Sequence, residues 1–95
     1  MIKFSWNPSK ARSNIEKHGI SFETARLVWE DPFHRIIFDR VEAGEERWWA
    51  IGTIGPIQIV VVVHTYPEPD DEADIRIIGA RKATPGERKR YENEA

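Results

Sequence analysis

The chain of 95 residues contains no cysteine, and this absence removes several classes of protein at once. Disulfide bonds, iron–sulfur clusters and thiolate zinc sites all require cysteine. The longest apolar run is IVVVV at Ile59–Val63, far shorter than the roughly 20 residues of a membrane-spanning helix. The start, MIKFSWNPSK, also lacks the apolar core of a signal peptide. We therefore expect one cytoplasmic domain covering residues 1–95.

Motifs for metal ions, nucleotides and nucleophilic catalysis are missing too. The three histidines show no His-x-x-x-His spacing, and the acidic run PDDEAD lacks the glycine and the spacing of a calcium loop. The chain has no glycine-rich phosphate loop and no nucleophile elbow. We expect neither a bound metal ion nor an organic cofactor.

Positive charge is scarce in the middle of the chain and concentrated towards both ends, although the net charge is only −2. Residues 1–29 carry five basic and two acidic residues (+3), and residues 75–91 carry six and one (+5). Residues 30–74 carry three basic and eleven acidic residues (−8). Such segregation can give a basic face for a polyanion and an acidic face for another partner. The alternative is a solvated surface on which charges happen to cluster.

Two helices are predicted near the N-terminus. The first has Asn7 as its N-cap, Pro8 in its first turn and Gly19 at its C-terminal left-handed position. Its spacing predicts an inward stripe of Ala11, Ile15 and His18 and a polar face of Lys10, Asn14 and Lys17. The second follows Ser21 and ends at Pro32, with an apolar stripe of Phe22, Ala25, Val28 and Trp29.

A period of two residues then predicts strands at His34–Asp39, Arg47–Ile54, Ile57–Thr65 and Ile75–Ala80, with a further short one at Phe4–Trp6. The final helix begins at Thr84, where Glu87 completes a Thr-x-x-Glu capping box. Its only packing residue is Tyr91, so we expect partial docking through Tyr91 and full ordering in a complex. The predicted fold class is α+β, with two N-terminal helices, a mainly antiparallel sheet of four to five strands and a C-terminal helix.

Several stretches, taken in order, resemble the BrnT family of ribonuclease toxins from bacterial type II toxin–antitoxin pairs. They are FSWNPSKARSNIEKHGISFETA, Asp31-Pro32, ERWWAIG, VVVHT and RIIGARKATPGERKRYE, which together span nearly the whole chain. No single stretch is a strong motif, but the ordered set is specific. The chain departs from the family at Trp29, Gly79 and Lys82 and in its long acidic loop, Tyr66–Asp74.

The resemblance implies a RelE-like fold and metal-independent RNA cleavage that inhibits translation. It also implies a BrnA-like antitoxin with a small DNA-binding domain. The assembly, with two copies of each protein, would repress its own operon and contact operator DNA only through the antitoxin.

Cleaving RNA without a metal ion requires a base for the 2′-hydroxyl, a group that stabilises the phosphate's growing charge and an acid for the leaving oxygen. Arg76 and Arg81 are candidates for the phosphate, because a guanidinium matches its oxygens and stays charged. Strand alternation predicts Arg76 on the same face as Ile78 and Ala80. The alternative for Arg76 is an edge position or an ion pair with the acidic loop.

His64, Glu87 and Tyr91 complete the candidate catalytic set, and each has a structural alternative. The ordinary pKa of a histidine, near 6.5, suits proton transfer by His64, but a histidine at a strand end is equally often structural. Glu87 is either a base or only the helix cap. Tyr91 stacks on a base of the RNA, docks the last helix, or does both.

The remaining basic residues are predicted to hold the RNA backbone: Lys10, Lys17, Lys82, Arg88 and Lys89. Trp48 and Trp49 are adjacent on a strand, so one points inward and the other outward. The acidic segments Glu42–Glu46 and Tyr66–Asp74 would repel RNA and suit a basic partner or solvent. Two other functions remain open: an RNA-binding adaptor without chemistry, and a partner that only organises an antitoxin.

Overall fold

The computed structural model describes residues 1–56 and 58–94. Its five strands are β1 Lys3–Trp6, β2 Arg35–Glu42, β3 Glu45–Ile54, β4 Gln58–Thr65 and β5 Asp74–Lys82. They form one sheet in the order β1-β5-β4-β3-β2. The first strand runs parallel to β5, whereas the other neighbours are antiparallel. The sheet is therefore mixed, with three antiparallel pairings and one parallel pairing among the described strands. The parallel pairing was not predicted, because the alternation of a four-residue strand carries no signal of pairing direction.

Four helical segments accompany the sheet within the described residues: α1 Pro8–His18, α2 Phe22–Ala25, the 3-10 helix Arg26–Glu30 and α3 Pro85–Glu94. The second predicted helix is thus one α-helical turn that continues in the 3-10 form. The predicted caps are present, since Asn7 Oδ1 accepts hydrogen bonds from the backbone of Ser9 and Lys10, and Gly19 has φ 70°. None of these helices is long and apolar enough to cross a membrane.

The larger core lies between one face of the sheet and the N-terminal helices, and we call this side the helix face. Its buried residues include Ile20, Phe22, Ala25, Val28, Val60, Val62, Ile75 and Ile77. The opposite side, which we call the α3 face, has a smaller core of Ile51, Ile59, Val61 and Tyr91. The central strand β4 is covered on both faces, as its continuous apolar sequence predicts.

The inward stripe predicted for α1 is wrong at two positions. Ile15 is 49% exposed and His18 is exposed, whereas Asn14, predicted to be on the polar face, is buried. The Asn14 amide donates to the carbonyls of Ile20 and Ala80 at 2.9 Å and accepts from the Ala80 N–H at 3.1 Å. The Asn14 amide satisfies the backbone hydrogen-bonding groups of Ala80, in the part of β5 that β1 does not reach. The need of these groups for partners outweighs the apolar spacing from which the inward stripe was predicted.

A β-bulge in β5 changes which side chains share a face. Val63 pairs with Gly79 but His64 pairs with Ile77, which leaves Ile78 as the extra residue. Arg76 is therefore opposite Thr65 and Arg81 opposite Val61, two residues of β4 with the same orientation. Both arginines lie on the α3 face, so the prediction that Arg76 shares a face with Ala80 is wrong.

Candidate functional site

The most organised group of charged side chains on the α3 face is centred on Arg81. Its Nη1 and Nη2 atoms donate to Glu87 Oε1 and Oε2 at 2.7 and 3.0 Å. The guanidinium carbon also lies 5.4 Å from the ring centroid of Trp49. Of the two adjacent tryptophans, Trp49 faces α3, while Trp48 lies on the helix face. Arg81 is thus held on a strand between an aromatic ring and a carboxylate.

The first turn of α3 fixes the position of Glu87. Thr84 N–H donates to Glu87 Oε1 at 2.9 Å, and Glu87 N–H donates to Thr84 Oγ1 at 3.2 Å. This is the capping box that the Thr-x-x-Glu spacing predicts. One carboxylate therefore serves two structural purposes, because it begins the helix and holds the arginine.

The ion pair shifts the pKa of both partners. The hydrogen bond from Arg81 lowers the pKa of Glu87 despite its partial burial, and the same bond raises the pKa of Arg81. At neutral pH Glu87 is therefore an ionised acceptor. Glu87 uses two of the five N–H groups of the guanidinium, which leaves three for an anion.

Tyr91 is buried, and the structure uses it to attach α3 to the rest of the molecule. Its ring packs with Ile51, Ile59 and Val61, and its hydroxyl donates to Asp31 Oδ2. Burial and the bond to Asp31 raise the pKa of Tyr91. This is the docking predicted for α3, and in this conformation the ring is not available to stack on a base.

Asp31 was not recognised in the sequence as more than part of a helix-ending Asp-Pro pair. Its carboxylate also accepts from Thr53 N–H at 2.9 Å, Thr53 Oγ1 at 3.1 Å and Phe33 N–H at 2.9 Å. Burial raises the pKa of Asp31, but the hydrogen bonds, led by that from Tyr91, outweigh burial and lower it overall. Nothing in the sequence indicates this role of Asp31. The spacing of residue types does not show that β2 starts after the position that would pair with Thr53.

His64 is fully buried on the helix face, away from Arg81. Its ring nitrogens contact the Val62 carbonyl at 3.2 Å and the Tyr66 hydroxyl at 3.1 Å, and Trp29 packs edge-on at 5.0 Å. Burial lowers the pKa of His64 to about 4, so the ring is neutral at pH 7. The geometry gives His64 a structural position, since a base beside Arg81 would have to lie on the other face.

Arg76 lies on the same face as Arg81 and is half-buried. Its neighbour Thr65 is buried, with no hydrogen-bond partner for its hydroxyl within residues 1–56 and 58–94. The positions of Thr65 and Val61 on β4 separate the two arginines by about 13 Å along the strand direction. Arg76 and Arg81 therefore occupy two separate positions along the same face of the sheet.

Arg47 is a cation on the α3 face that sequence reasoning missed. The register of β3 and β4 continues from Trp48 and His64 to place Arg47 next to Thr65. Its Nη2 forms an ion pair with Glu42 at 3.0 Å, and its Nε is buried with no partner in the described part of the chain. Alternation links Arg47 to Trp49, but only the structure shows that both lie on the α3 face.

The other predicted RNA-binding residues divide into two groups. Lys82, Arg88 and Lys89 are exposed and lie within a few residues of Arg81 and Glu87. Lys10 and Lys17 instead line a cavity of about 230 Å³ along α1, together with Asn14 and Ile78. The structure therefore does not bring all the predicted cations to one surface. No cluster of three His, Asp or Glu side chains suited to a metal ion occurs among the residues that are described.

Comparisons with known proteins agree with this fold. The family described as "Ribonuclease toxin, BrnT, of type II toxin-antitoxin system" matches residues 6–87. The crystal structure of the Brucella abortus ribonuclease toxin BrnT is similar, with a TM-score of 0.62 and 23% identity, covering 88% of this chain and 99% of that one. No curated protein matches the chain. Because the family match covers most of its length, the chain belongs to the BrnT family of type II toxin–antitoxin ribonuclease toxins.

Proposed function

We propose that this protein is an endoribonuclease that cleaves RNA without a metal ion and thereby inhibits translation. The observation that carries the proposal is the fixed arrangement of Arg81 between Trp49 and Glu87. A cation, an aromatic ring and a carboxylate are the groups needed to hold a phosphate, stack a base and accept a proton. A RelE-like fold, implied by the family resemblance, is part of the same proposal.

The ion pair suggests how substrate binding activates the base. A phosphate that binds Arg81 competes with Glu87 for the guanidinium. Because the bond from Arg81 is the main cause of the lowered pKa of Glu87, losing it raises that pKa and makes the carboxylate a better base. The carboxylate then accepts the proton of the 2′-hydroxyl.

The reaction that follows is an internal transfer. The 2′-oxygen attacks phosphorus, the bond from phosphorus to the 5′-oxygen breaks, and that oxygen takes a proton from water. Protonated Glu87 then gives its proton to the hydroxide left behind, which restores the carboxylate. The products are a 2′,3′-cyclic phosphate and a 5′-hydroxyl. Arg81 stabilises the charge that develops on the phosphate, while Arg76, Lys82, Arg88 and Lys89 hold the neighbouring backbone.

The type II toxin–antitoxin family implies a protein antitoxin as partner. Within the proposal this is a BrnA-like, DNA-binding protein that neutralises the toxin. Two copies of each would form the complex that represses the operon, with operator DNA contacted only by the antitoxin. The exposed cations of α3, Arg88 and Lys89, are suited to an acidic segment of such a partner.

The decisive experiment incubates purified protein with single-stranded RNA in the presence of EDTA. We expect cleavage, and we expect Arg81→Ala to reduce its rate by about 100-fold or more, as when a preorganised charge-stabilising donor is lost. Arg12→Ala is the matched control, because Arg12 is an exposed arginine on α1 and its loss changes the net charge equally. RNA that stays intact while bound by folded protein would instead support the adaptor without chemistry.

A further inference from the structure

A second cavity lies on the helix face, at the end of the sheet formed by β2 and β3. Its volume is about 720 Å³, and its apolar wall includes Ile36, Trp48 and Tyr66. Phe38 packs edge-on against Trp48 at 5.3 Å, and Tyr66 does so at 6.0 Å. We call this cavity the β2–β3 groove, and its volume falls in the range of ordinary ligand and peptide pockets.

The apolar side chains beside this groove are unusually exposed. On β2, Ile36 is 38%, Phe38 48% and Val41 58% exposed. The N-terminal helices do not bury these side chains, because the core that the helices cover lies over β5, β4 and part of β3. An uncovered aromatic and aliphatic patch on an edge strand is typical of a surface that binds a protein.

The rim of the groove is acidic. Glu45, Glu46 and Glu72 line it, and further acids are exposed in the adjoining loop at Glu68, Asp70 and Asp71. Glu72 and Tyr66 both line the groove, and burial together with the charge of Glu72 raises the pKa of Tyr66. Among the described residues that line the groove, none is Lys or Arg. The negative electrostatic field of these carboxylates repels RNA and attracts a cation.

We propose that the β2–β3 groove binds a cationic segment of a protein partner that inserts apolar side chains against Ile36 and Trp48. Charge complementarity selects the cation, and the aromatic wall selects the apolar side chains. We identify this partner as the antitoxin, and this identification rests on the proposed function. Trp48 and Trp49 lie on opposite faces, so the groove and the site around Arg81 are separate surfaces of one sheet.

The consequence for inhibition is specific. A partner anchored in the groove does not touch Arg81, and the groove segment alone leaves RNA cleavage intact. Neutralisation then requires a second segment that reaches the α3 face. Binding and inhibition are therefore separable functions of the partner.

The test titrates the ¹⁵N-labelled full chain with a 14-residue amphipathic helical peptide of Lys, Leu and Ala, at low salt. We expect the Trp48 indole and Gly44 amide signals to shift and the Trp49 indole signal to stay in place. The variant Glu45→Gln/Glu46→Gln/Glu72→Gln should weaken binding by about fivefold or more. Its matched control is Glu16→Gln/Glu23→Gln/Glu30→Gln, which removes three exposed acids from the helical segments and should bind like the parent chain.

Equal weakening by both triple variants would overturn the proposal, because it would mean unspecific attraction to a negative protein. So would a shift at Trp49, or signals that broaden with protein concentration alone, which would make a second copy of the chain the occupant. RNA cleavage is measured on the same samples. A parent chain that binds the peptide in the groove but leaves RNA intact refutes the proposed ribonuclease activity and not the groove.

Discussion

The hydroxyl of Tyr91 donates a hydrogen bond of 2.5 Å to Asp31, a residue 60 positions earlier in the chain. The bond joins the last helix to the segment between the 3-10 helix and β2. Asp31 is itself bonded to Thr53 at the edge of β3, so one carboxylate connects three parts of the fold. This explains how α3, which has almost no apolar face, is held on the sheet.

The first prediction concerns this bond. Tyr91→Phe keeps the ring but leaves Asp31 without one of its donors, and we expect a loss of about 1–3 kcal/mol in the free energy of unfolding. Urea denaturation measures it, and amide exchange of α3 should accelerate. Lys89→Ala, an exposed change on the same helix, should alter stability by less than about 0.5 kcal/mol. A Tyr91→Phe protein as stable as the parent would show that the bond contributes nothing.

The second prediction concerns the pH dependence of stability. His64 has a pKa of about 4 in the folded chain, below the ordinary 6.5 that applies to the unfolded chain. The unfolded state therefore binds the proton first, and stability is complete above pH 6.5 and falls as the pH drops towards 4. The loss should approach about 1.4 kcal/mol per pH unit within this window. The lowered pKa of Asp31 adds a further loss only below about pH 4.

Urea denaturation at pH 7, 6, 5 and 4 measures this dependence. His64→Gln should lack the decline between pH 6.5 and 5, and His18→Gln, an exposed control, should keep it. If the stability of His64→Gln still declines between pH 6.5 and 5, the decline comes from other titrating groups. The pH profile of RNA cleavage should likewise show no inflection from His64.

The third prediction concerns Gly52, where the backbone passes close to three residues. A Cβ at this position would lie 3.0 Å from Val28 Cγ1, 3.1 Å from Asp31 Oδ2 and 3.2 Å from His34 Cβ. Gly52→Ala should therefore destabilise the protein by about 1–3 kcal/mol. Gly86→Ala is the control, since that site is open and helical and alanine there should stabilise by up to about 1 kcal/mol. Thermal unfolding of both variants compares them directly, and equal melting temperatures would contradict the expectation.

The fourth prediction separates RNA binding from RNA cleavage at the ion pair. Glu87→Gln removes the charge that competes with phosphate for Arg81, so we expect tighter RNA binding. The same change removes the proposed base, so the cleavage rate should fall by about 100-fold or more. Filter binding and single-turnover cleavage, both in EDTA, measure the two quantities. Weaker binding together with unchanged cleavage would exclude Glu87 as the base.

Much of the fold was predictable because its signals are local. Asn7, Gly19 and the Thr84–Glu87 capping box mark helix ends through contacts within a few residues. The continuous apolar sequence of β4 likewise identifies a strand buried on both faces. Short-range chemistry of this kind can be read directly from the spacing of residue types.

The predictions that were wrong concern features that depend on how the whole sheet is paired and packed. The bulge at Ile78 shifts the alternation of β5, so Arg76 and Arg81 share a face although they are five residues apart. The burial of His64 depends on Trp29 and Tyr66, which are placed by other elements. Alternation places Arg47 on the same face as Trp49, but no local pattern shows that this is the face that α3 covers. Arg81 and Glu87 were candidates from their residue types alone, whereas their ion pair and the position of Trp49 beside Arg81 emerge only from the structure.

The hydrogen bonds of Asn14 and Asp31 also bear on aggregation. Strands β1 and β2 are shorter than their neighbours, and each leaves part of an adjacent strand with open hydrogen-bonding groups. The Asn14 amide closes that stretch on β5 and the Asp31 carboxylate closes it on β3. An open stretch of this kind is where another copy of a chain can add a strand. We therefore expect these two polar side chains to hinder strand addition at these two stretches, as well as completing the sheet.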